Sequence, residues 1–127
     1  MYNAYFWDWP ERKIIAFYCR SSLKDKRLIE KQQSRLIKYA KKQGIDNYKF
    51  YIDDGYNGDT LERSDLKKLI KNVKDKKVYA VITSHDDRLV KRSIDLWKTI
   101  IQIFDNNNVS FTSLQTPFLM DLLRKME

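Results

Sequence analysis

Short apolar runs alternate along the chain with longer stretches in which apolar residues recur every three or four positions. The short runs are rich in β-branched and aromatic residues, which is typical of buried strands. They predict four strands, at residues 13–19, 48–52, 78–83 and 109–114. The longer stretches predict helices at residues 27–43, 62–74 and 93–106, with the start of a last helix at 119–126. Gly44 occupies the position just past the first helix, where glycine often ends one.

The order of these elements predicts a single α/β domain over residues 1–127. Parallel strands need long crossover connections, and the helical stretches between the predicted strands supply them. We therefore expect a three-layer fold, with a mostly parallel central sheet of four or five strands and helices on both faces. Residues 1–12 precede the first strand as an extension rich in aromatic residues, to which the sequence assigns no role.

Basic residues outnumber acidic ones: the chain has 25 Lys and Arg against 17 Asp and Glu, and a formal net charge of +8. The excess is concentrated in residues 20–49, which contain ten Lys or Arg and three Asp or Glu. This charge favours an acidic partner, most simply nucleic acid, although a solvated helix face is the other interpretation. We expect weak DNA binding with little sequence preference, because no element is built to read base edges.

Composition excludes several other classes of protein. The 43% hydrophobic and 13% aromatic content is too high for a disordered chain. One Cys and one His exclude an intrachain disulfide framework and a Cys/His zinc site. No apolar run is long enough to span a membrane, and residues 1–10 lack the basic start and apolar stretch of a secretory signal. We therefore expect a cytosolic protein with no membrane partner.

Unusual polar residues follow the predicted strands, at the edge where ligands bind in open α/β sheets. They are Arg20 and Ser22 after the first strand, Asp54 after the second, and Asp87 and Arg88 after the third. We expect these five side chains to converge. A serine hydroxyl beside guanidinium groups suits phosphodiester chemistry, because serine can act as a nucleophile and arginine neutralises charge on phosphate oxygens.

The same residues also have structural interpretations, which the pattern leaves open. Loops after strands are commonly polar, and Ser22 suits a helix N-cap equally well. The acid pairs 53–54 and 86–87 suit turns or, in a nuclease, Mg²⁺ ligands. We expect His85 to be an ordinary loop residue with no partner that would make it a base, and Cys19 to be a buried strand residue.

Four segments resemble motifs of the resolvase/invertase family of serine site-specific recombinases. Segment 18–22, Tyr-Cys-Arg-Ser-Ser, is similar to the family's Tyr-x-Arg-x-Ser motif, and segment 29–32 to the Gln-containing start of its first helix. Segment 54–63 resembles its glycine loop that ends in a basic residue, and segment 87–91 its Asp-Arg-Leu-x-Arg motif. Order and spacing agree over residues 13–117, so the chain resembles the family's catalytic domain over most of its length.

The resemblance implies DNA strand cleavage and rejoining through a covalent 5′-phosphoserine intermediate. Ser22 matches the nucleophile, and Arg20 and Arg88 match the arginines that hold the scissile phosphate. Asp87 matches the residue that orients this pair or assists the leaving oxygen, and Lys91 matches a third catalytic position. Gln32 and Arg63 would lie on the phosphate side. The full set of supporting or phosphate-binding positions is Tyr18, Gln32, Asp54, Asn57, Arg63 and Arg92.

The resemblance also implies which partners the chain has. DNA is the partner, and the chain forms a homodimer that becomes a tetramer in an active synaptic complex. No metal, ATP or small-molecule substrate is expected, because the phosphoserine ester retains the energy of the broken bond. We expect a bacterial or phage protein of a mobile element, located in the cytoplasm with the nucleoid.

Three features depart from the family's pattern. Lys91 stands where the motif has its third arginine, and lysine keeps the charge but lacks the planar guanidinium. In a helix entered at Asp87, Lys91 lies about one turn from Arg88 on nearly the same face, whereas Arg92 is turned by about 100°. Asn57 replaces a serine beside the loop glycine. The family's C-terminal DNA-binding region is expected to be absent from this chain, so a non-catalytic, truncated recombinase-like module is the alternative function, and a metal-dependent nuclease a less favoured one.

Overall fold

The fold of this chain is a parallel sheet whose strands alternate with helices. In the computed structural model, which describes residues 13–115, the strands are β1 (Ile14–Ser21), β2 (Tyr48–Asp54), β3 (Val78–His85) and β4 (Ser110–Gln115). The helices are α1 (Lys26–Gln43), α2 (Ser64–Lys74), α3 (Asp86–Leu89) and α4 (Ile94–Asn106). The aromatic extension over 1–12 and the helix predicted over 119–126 lie outside the described residues.

The strands all run parallel, in the order β2-β1-β3-β4. Successive residues of a strand point to opposite faces of the sheet, and β1 shows both faces buried. Ile15 and Phe17 belong to the core beside α1, whereas Ala16 and Tyr18 belong to the core beside α2 and α4. The predicted three-layer α/β fold with a parallel sheet is therefore confirmed, with four strands in the part of the chain that is described.

The start of α1 decides where Ser22 lies. Asp25 is the N-cap of this helix, because its carboxylate accepts a hydrogen bond from Leu28 N at 3.1 Å. Gly44 ends the helix in the left-handed conformation with φ 72°, which glycine adopts without a side-chain penalty. The interpretation of Ser22 as an N-cap is wrong, and Ser22 instead lies in an exposed bend between β1 and α1.

All four described strands run farther at their C-terminal ends than their apolar residues predict. The parallel ladder between β1 and β2 continues to the pair Ser21 and Asp54, and that between β3 and β4 continues to the pair His85 and Gln115. These polar residues belong to the sheet because their backbones pair with a neighbouring strand, although their side chains do not predict a strand. His85 is thus a strand residue, and the expectation that it lies in a loop is wrong.

The segment after β3 also differs from the prediction, because a short helix replaces the expected start of a long one. Helix α3 ends at Leu89, and Val90 is extended with φ −138° and ψ 129°. Lys91 N then donates to Gly58 O at 3.1 Å instead of continuing the helix. Arg88 and Lys91 therefore do not share a helix, and the expectation that they lie one turn apart on one face is wrong. No helix within residues 13–115 is both long and apolar enough to cross a membrane.

Candidate active site

Arg20, near the end of β1, is buried although it carries a charge, and both its backbone and its side chain form hydrogen bonds. Only 1% of its surface is exposed. The Gln32 amide accepts from Arg20 N at 3.1 Å and donates to Arg20 O at 2.9 Å. The guanidinium donates to the carbonyl oxygens of Tyr56 (3.0 Å), Asp87 (2.6 Å) and Arg88 (2.9 Å). Burial, with help from two neighbouring arginines, lowers the pKa of Arg20, but arginine stays protonated in proteins, so the site contains a fixed cation.

Ser22 presents its hydroxyl to this cation. Arg20 Nη1 donates to Ser22 Oγ at 3.0 Å, and Ser22 itself is exposed. Among residues 13–115, this is the one hydrogen bond that Ser22 Oγ makes, so neither a carboxylate nor an imidazole is bonded to it. A guanidinium beside a hydroxyl favours its ionised form, which is the form that attacks an electrophile. The arrangement therefore suits a serine nucleophile that is activated by arginine.

The turn that carries Ser22 is fastened to β2 by Asp54. Its carboxylate accepts from Ser21 Oγ and, at 2.8 Å, from Asp25 N. The Ser21 hydroxyl, followed by the Asp25 amide, lowers the pKa of Asp54 below its ordinary value. Asp54 thus stays ionised and holds the residues on both sides of Ser22.

Arg88 and Asp87 lie beside Arg20 with hydrogen-bonding capacity left over. Arg88 Nη1 donates to Arg20 O at 3.4 Å, and Arg88 Nε lies 3.6 Å from Asp87 Oδ1. In the part of the chain that the structure describes, both Arg88 Nε and Asp87 Oδ1 are buried without a hydrogen-bond partner. Buried polar atoms almost always have partners. Here each atom faces the other in the ion pair, so Asp87 orients the Arg88 guanidinium.

An open cleft of about 380 Å³ is lined by Ser22, Asn57, Asp59, Lys91 and Arg92. Two of these five side chains are cationic and one is anionic. Asn57 closes its own turn, because its side-chain oxygen accepts from Asp59 N at 2.8 Å. The polar lining and the excess of positive charge suit a phosphate group better than an apolar ligand.

Two residues that sequence reasoning missed, Gly58 and Asp59, join the loop after β2 to the segment before α4. Gly58 O accepts from Lys91 N at 3.1 Å. Asp59 Oδ1 accepts from Arg92 N at 2.7 Å and from Ser93 N at 2.9 Å. Partial burial raises the pKa of Asp59, but these two amides, together with the charges of Lys91 and Arg20, outweigh it and leave that pKa below its ordinary value. The bonds link positions 33 and 34 residues apart, so no local pattern indicates them.

Tyr18 and Arg63 are buried, and their side chains form hydrogen bonds to other groups of the protein. Tyr18 OH donates to Asp53 Oδ2 at 2.7 Å and accepts from Arg63 Nη1 at 3.3 Å, and burial raises the pKa of Tyr18. Arg63 is fully buried and also donates to two backbone oxygens of the loop after β2, at 2.8 and 2.9 Å. Gln32 is likewise buried, with its amide bonded to the Arg20 backbone. Gln32 and Arg63 therefore position other groups of the protein, and the phosphate-side role that the resemblance implies for them stays a prediction.

The carboxylates of Asp53 and Asp54, at the end of β2, accept hydrogen bonds from other groups of the protein. Asp53 accepts from Asp65 N at 2.8 Å and from Leu66 N at 3.0 Å, and so caps the start of α2. Within residues 13–115, no group of three or more His, Cys, Asp or Glu side chains could hold a metal ion.

Cys19 is buried in β1, as predicted, and burial raises the pKa of its thiol to about 12. A buried thiol with such a pKa is chemically inert at neutral pH.

Comparisons with known proteins agree with this architecture. A family model described as "Resolvase, N terminal domain" matches residues 15–126. The N-terminal catalytic domain of TP901-1 integrase is 31% identical to this chain, with a TM-score of 0.72, over 80% of this chain and 78% of that one. The C-terminal catalytic domain of ISC1926 TnpA, an IS607-like serine recombinase, is 27% identical, with a TM-score of 0.70, over 78% of this chain and 65% of that one. A comparison with curated proteins finds no match.

A more distant structure shares the fold. It is a resolvase family site-specific recombinase from Streptococcus pneumoniae, 20% identical with a TM-score of 0.63, over 80% of this chain and 71% of that one. Together, the fold and the matched domains define the class of this protein as the catalytic domain of a serine recombinase. The chain belongs to the resolvase family, as the sequence motifs predict. Membership in this family implies site-specific recombination, DNA binding and oligomerisation.

Proposed function

We propose that this domain cleaves and rejoins DNA through Ser22, with a covalent 5′-phosphoserine intermediate. The observation that carries the proposal is the 3.0 Å hydrogen bond from Arg20 Nη1 to Ser22 Oγ. This bond places the exposed Ser22 hydroxyl next to the buried, permanently charged Arg20 guanidinium, at a cleft that is lined by polar residues. Membership in the resolvase family supports the same chemistry.

The cleavage step consists of one substitution at phosphorus. Ser22 Oγ attacks a DNA phosphodiester and loses its proton to solvent. The bond from phosphorus to the 3′ oxygen breaks, and that oxygen takes up a proton to leave a free 3′-hydroxyl. The 5′ phosphate remains on Ser22 as an ester, so the step needs no ATP. A 3′-hydroxyl from another strand reverses the step and reseals the DNA.

The arginines stabilise the charge that develops at phosphorus. Arg20 and Arg88 lie together at the end of the sheet, and each hydrogen bond to a charged transition-state oxygen is commonly worth about 3 kcal/mol. Asp87 orients Arg88, whose Nε lies 3.6 Å from its carboxylate. Lys91 and Arg92 supply further charge at the cleft wall. The residues that support this set are Tyr18, Gln32, Asp54, Asn57 and Arg63.

We propose that the working assembly contains four copies of this domain. Exchanging two duplexes requires four strands to be cut, and each copy offers a single Ser22. A homodimer then serves one DNA site, and two dimers form the tetramer of the synaptic complex. With DNA as its substrate, we expect the protein to work at the nucleoid of a bacterial or phage-infected cell.

The experiment is covalent adduct formation in the presence of EDTA. The 127-residue chain is fused to a metal-free helix-turn-helix module and incubated with supercoiled DNA that carries the module's sites. Denaturing electrophoresis then detects protein linked to 5′ ends. We expect an adduct with the parent and with Ser64→Ala, which changes an exposed serine at the start of α2, but none with Ser22→Ala. An adduct that persists in Ser22→Ala, or one that requires Mg²⁺, contradicts the proposal.

One observation favours a different function, a non-catalytic interaction module. Lys91 occupies the position at which the resemblance implies an arginine, and an ammonium cannot grip two phosphate oxygens as a guanidinium does. In that case neither the parent nor Lys91→Arg forms an adduct, whereas self-association by analytical ultracentrifugation is retained.

A further inference from the structure

Helix α1 carries a continuous row of positive charge on its solvent face. Five exposed cations, which we call the α1 stripe, recur every three or four positions: Arg27, Lys31, Arg35, Lys38 and Lys42. This spacing places them on one face of the helix. The row rises about 22 Å from its first member to its last, at 1.5 Å per residue.

The cations of the α1 stripe make no ion pair among residues 13–115, in contrast to the lysines of α2, although Glu30 lines the same groove as Arg27, Lys31 and Arg35. Three lysines of α2 pair with carboxylates: Lys67–Glu62 at 2.7 Å, Lys68–Asp65 at 3.7 Å and Lys71–Asp75 at 3.0 Å. Within residues 13–115, no cation of the α1 stripe makes an ion pair. Arg35 donates only to the neutral side chain of Gln115, at 3.3 Å. In the described part of the chain, the stripe therefore presents five cations that no carboxylate pairs with.

Helix stability accounts for Lys42, in the last turn of α1, but not for Arg27 at the start of the helix. The N-terminus of a helix is the positive end of its macrodipole, so cations in the first turn are unfavourable there. Beyond its N-cap, α1 has Lys26 and Arg27 in this turn and no acid, whereas α2 and α4 have Asp65 and Asp95 in theirs. A basic first turn is unfavourable for the helix but adds positive charge to a surface that binds a polyanion.

We propose that the α1 stripe binds the phosphate backbone of duplex DNA outside the cleft that contains Ser22. Arg27 follows Ser22 by five residues at the same edge of the sheet, so DNA whose phosphate enters the cleft can continue along α1. A length of about 22 Å corresponds to about six base pairs at 3.4 Å each. The proposal rests on the proposed function only in taking DNA as the partner, and it does not require Ser22 to be a nucleophile.

The surface chemistry favours DNA over an acidic protein. Protein interfaces depend on buried apolar and aromatic anchors, whereas DNA interfaces are polar and strongly positive. Among the described residues, the exposed large hydrophobic side chains are Leu23 and Ile94, and neither belongs to α1. Contacts to phosphates do not read bases, so the α1 stripe adds affinity and orientation without sequence preference.

The test compares two variants that lose the same charge from different helices. Arg27→Gln/Lys31→Gln/Lys38→Gln removes three cations from the α1 stripe, and Lys67→Gln/Lys68→Gln/Lys71→Gln removes three from α2. Each lowers the formal net charge from +8 to +5, since 8 − 3 = 5. Fluorescence anisotropy measures binding of each 127-residue chain to a labelled mixed-sequence duplex between about 50 and 200 mM salt. Circular dichroism verifies that both variants are folded.

We expect the α1 variant to bind at least about tenfold more weakly at the lowest salt, with a salt slope smaller by about 3. The α2 variant is expected to stay within about twofold of the parent, because its lysines are already paired. Equal losses in the two variants, or an α1 variant that binds like the parent, would overturn the proposal. If no adduct forms but the α1 variant still loses affinity, the proposed function fails and this inference stands.

Discussion

The Gly58 Cα packs against the Arg20 guanidinium with no room for a side chain. A β-carbon at position 58 would lie 2.7 Å from Arg20 Cζ and 3.0 Å from Lys91 Cβ. Arg20 cannot easily move aside, because it is buried and its N–H groups donate to three carbonyl oxygens and to Ser22 Oγ. A single hydrogen atom in place of a side chain therefore allows the loop after β2 to close over the buried cation.

Replacing Gly58 with alanine is expected to slow adduct formation about a hundredfold while the domain remains folded. Overpacking of this kind costs about 1–3 kcal/mol, and here the strain displaces the guanidinium from Ser22. A loss of about 3 kcal/mol in transition-state stabilisation corresponds to about a hundredfold in rate. Single-turnover kinetics measure the rate, and a thermal melt verifies folding. A folded Gly58→Ala domain with the parent rate would show that Arg20 is not needed in its present position.

Asp59 is expected to matter as a hydrogen-bond acceptor and not as a charge. Asp59→Ala leaves the N–H groups of Arg92 and Ser93 without their acceptor, so the cations at the cleft wall lose their fixed position. We expect adduct formation to slow about tenfold, the effect of about 1.4 kcal/mol. Asp59→Asn keeps an acceptor oxygen and is expected to stay near the parent rate. A parent-like Asp59→Ala, or an Asp59→Asn as slow as the alanine variant, contradicts this interpretation.

Lys91→Arg tests whether lysine at position 91 makes DNA cleavage slower than arginine would. Lys91 N is held by Gly58 O, so its side chain starts from a defined point at the cleft. A guanidinium there can bind two phosphate oxygens where the ammonium binds one. We expect cleavage to accelerate about ten- to a hundredfold in single-turnover kinetics on a supercoiled substrate. A parent that cleaves well and slows on this change would mean that the site is built around an ammonium.

His85 is expected to make folding stability dependent on pH between about 7.5 and 5.5. Burial, followed by Arg88, lowers the pKa of His85 below its ordinary value. The folded state then binds the proton less readily than the unfolded state, so the free energy of unfolding falls as the pH drops through about 6.5 towards the folded-state pKa. The carboxylates of Asp54, Asp59 and Asp75, whose pKa values are lowered, lose their contribution only at more acidic pH.

Urea unfolding of the parent and of His85→Gln checks this prediction. His85 is the only histidine of the chain, so the assignment is direct. We expect the parent to lose stability from about pH 7.5 to about pH 5.5 and the variant to lose clearly less. Equal losses in the two proteins would place the titrating group elsewhere.

The fold could be predicted from the sequence almost in full, because strand and helix positions follow from local patterns of burial. A parallel strand covered on both faces must be apolar along its length, and the interior of β1 meets this requirement with Ile15, Phe17 and Cys19 on one face. Where pairing with a neighbour extends a strand through polar residues, as at His85 and Gln115, the local pattern ends too early. The missed helix α3 has four residues, too few to show a period.

The sequence by itself determined the class of fold, the family, and the segments that bring Arg20, Ser22 and Arg88 to one edge of the sheet. Only the tertiary structure decided what each polar side chain contacts. Gln32 and Arg63 are buried against backbone oxygens, whereas Asp59 holds the cleft wall. The hydrogen bonds that fix the buried Arg20 join residues between 2 and 68 positions apart in the chain. Such contacts depend on how the layers pack, and local residue patterns contain no record of that packing.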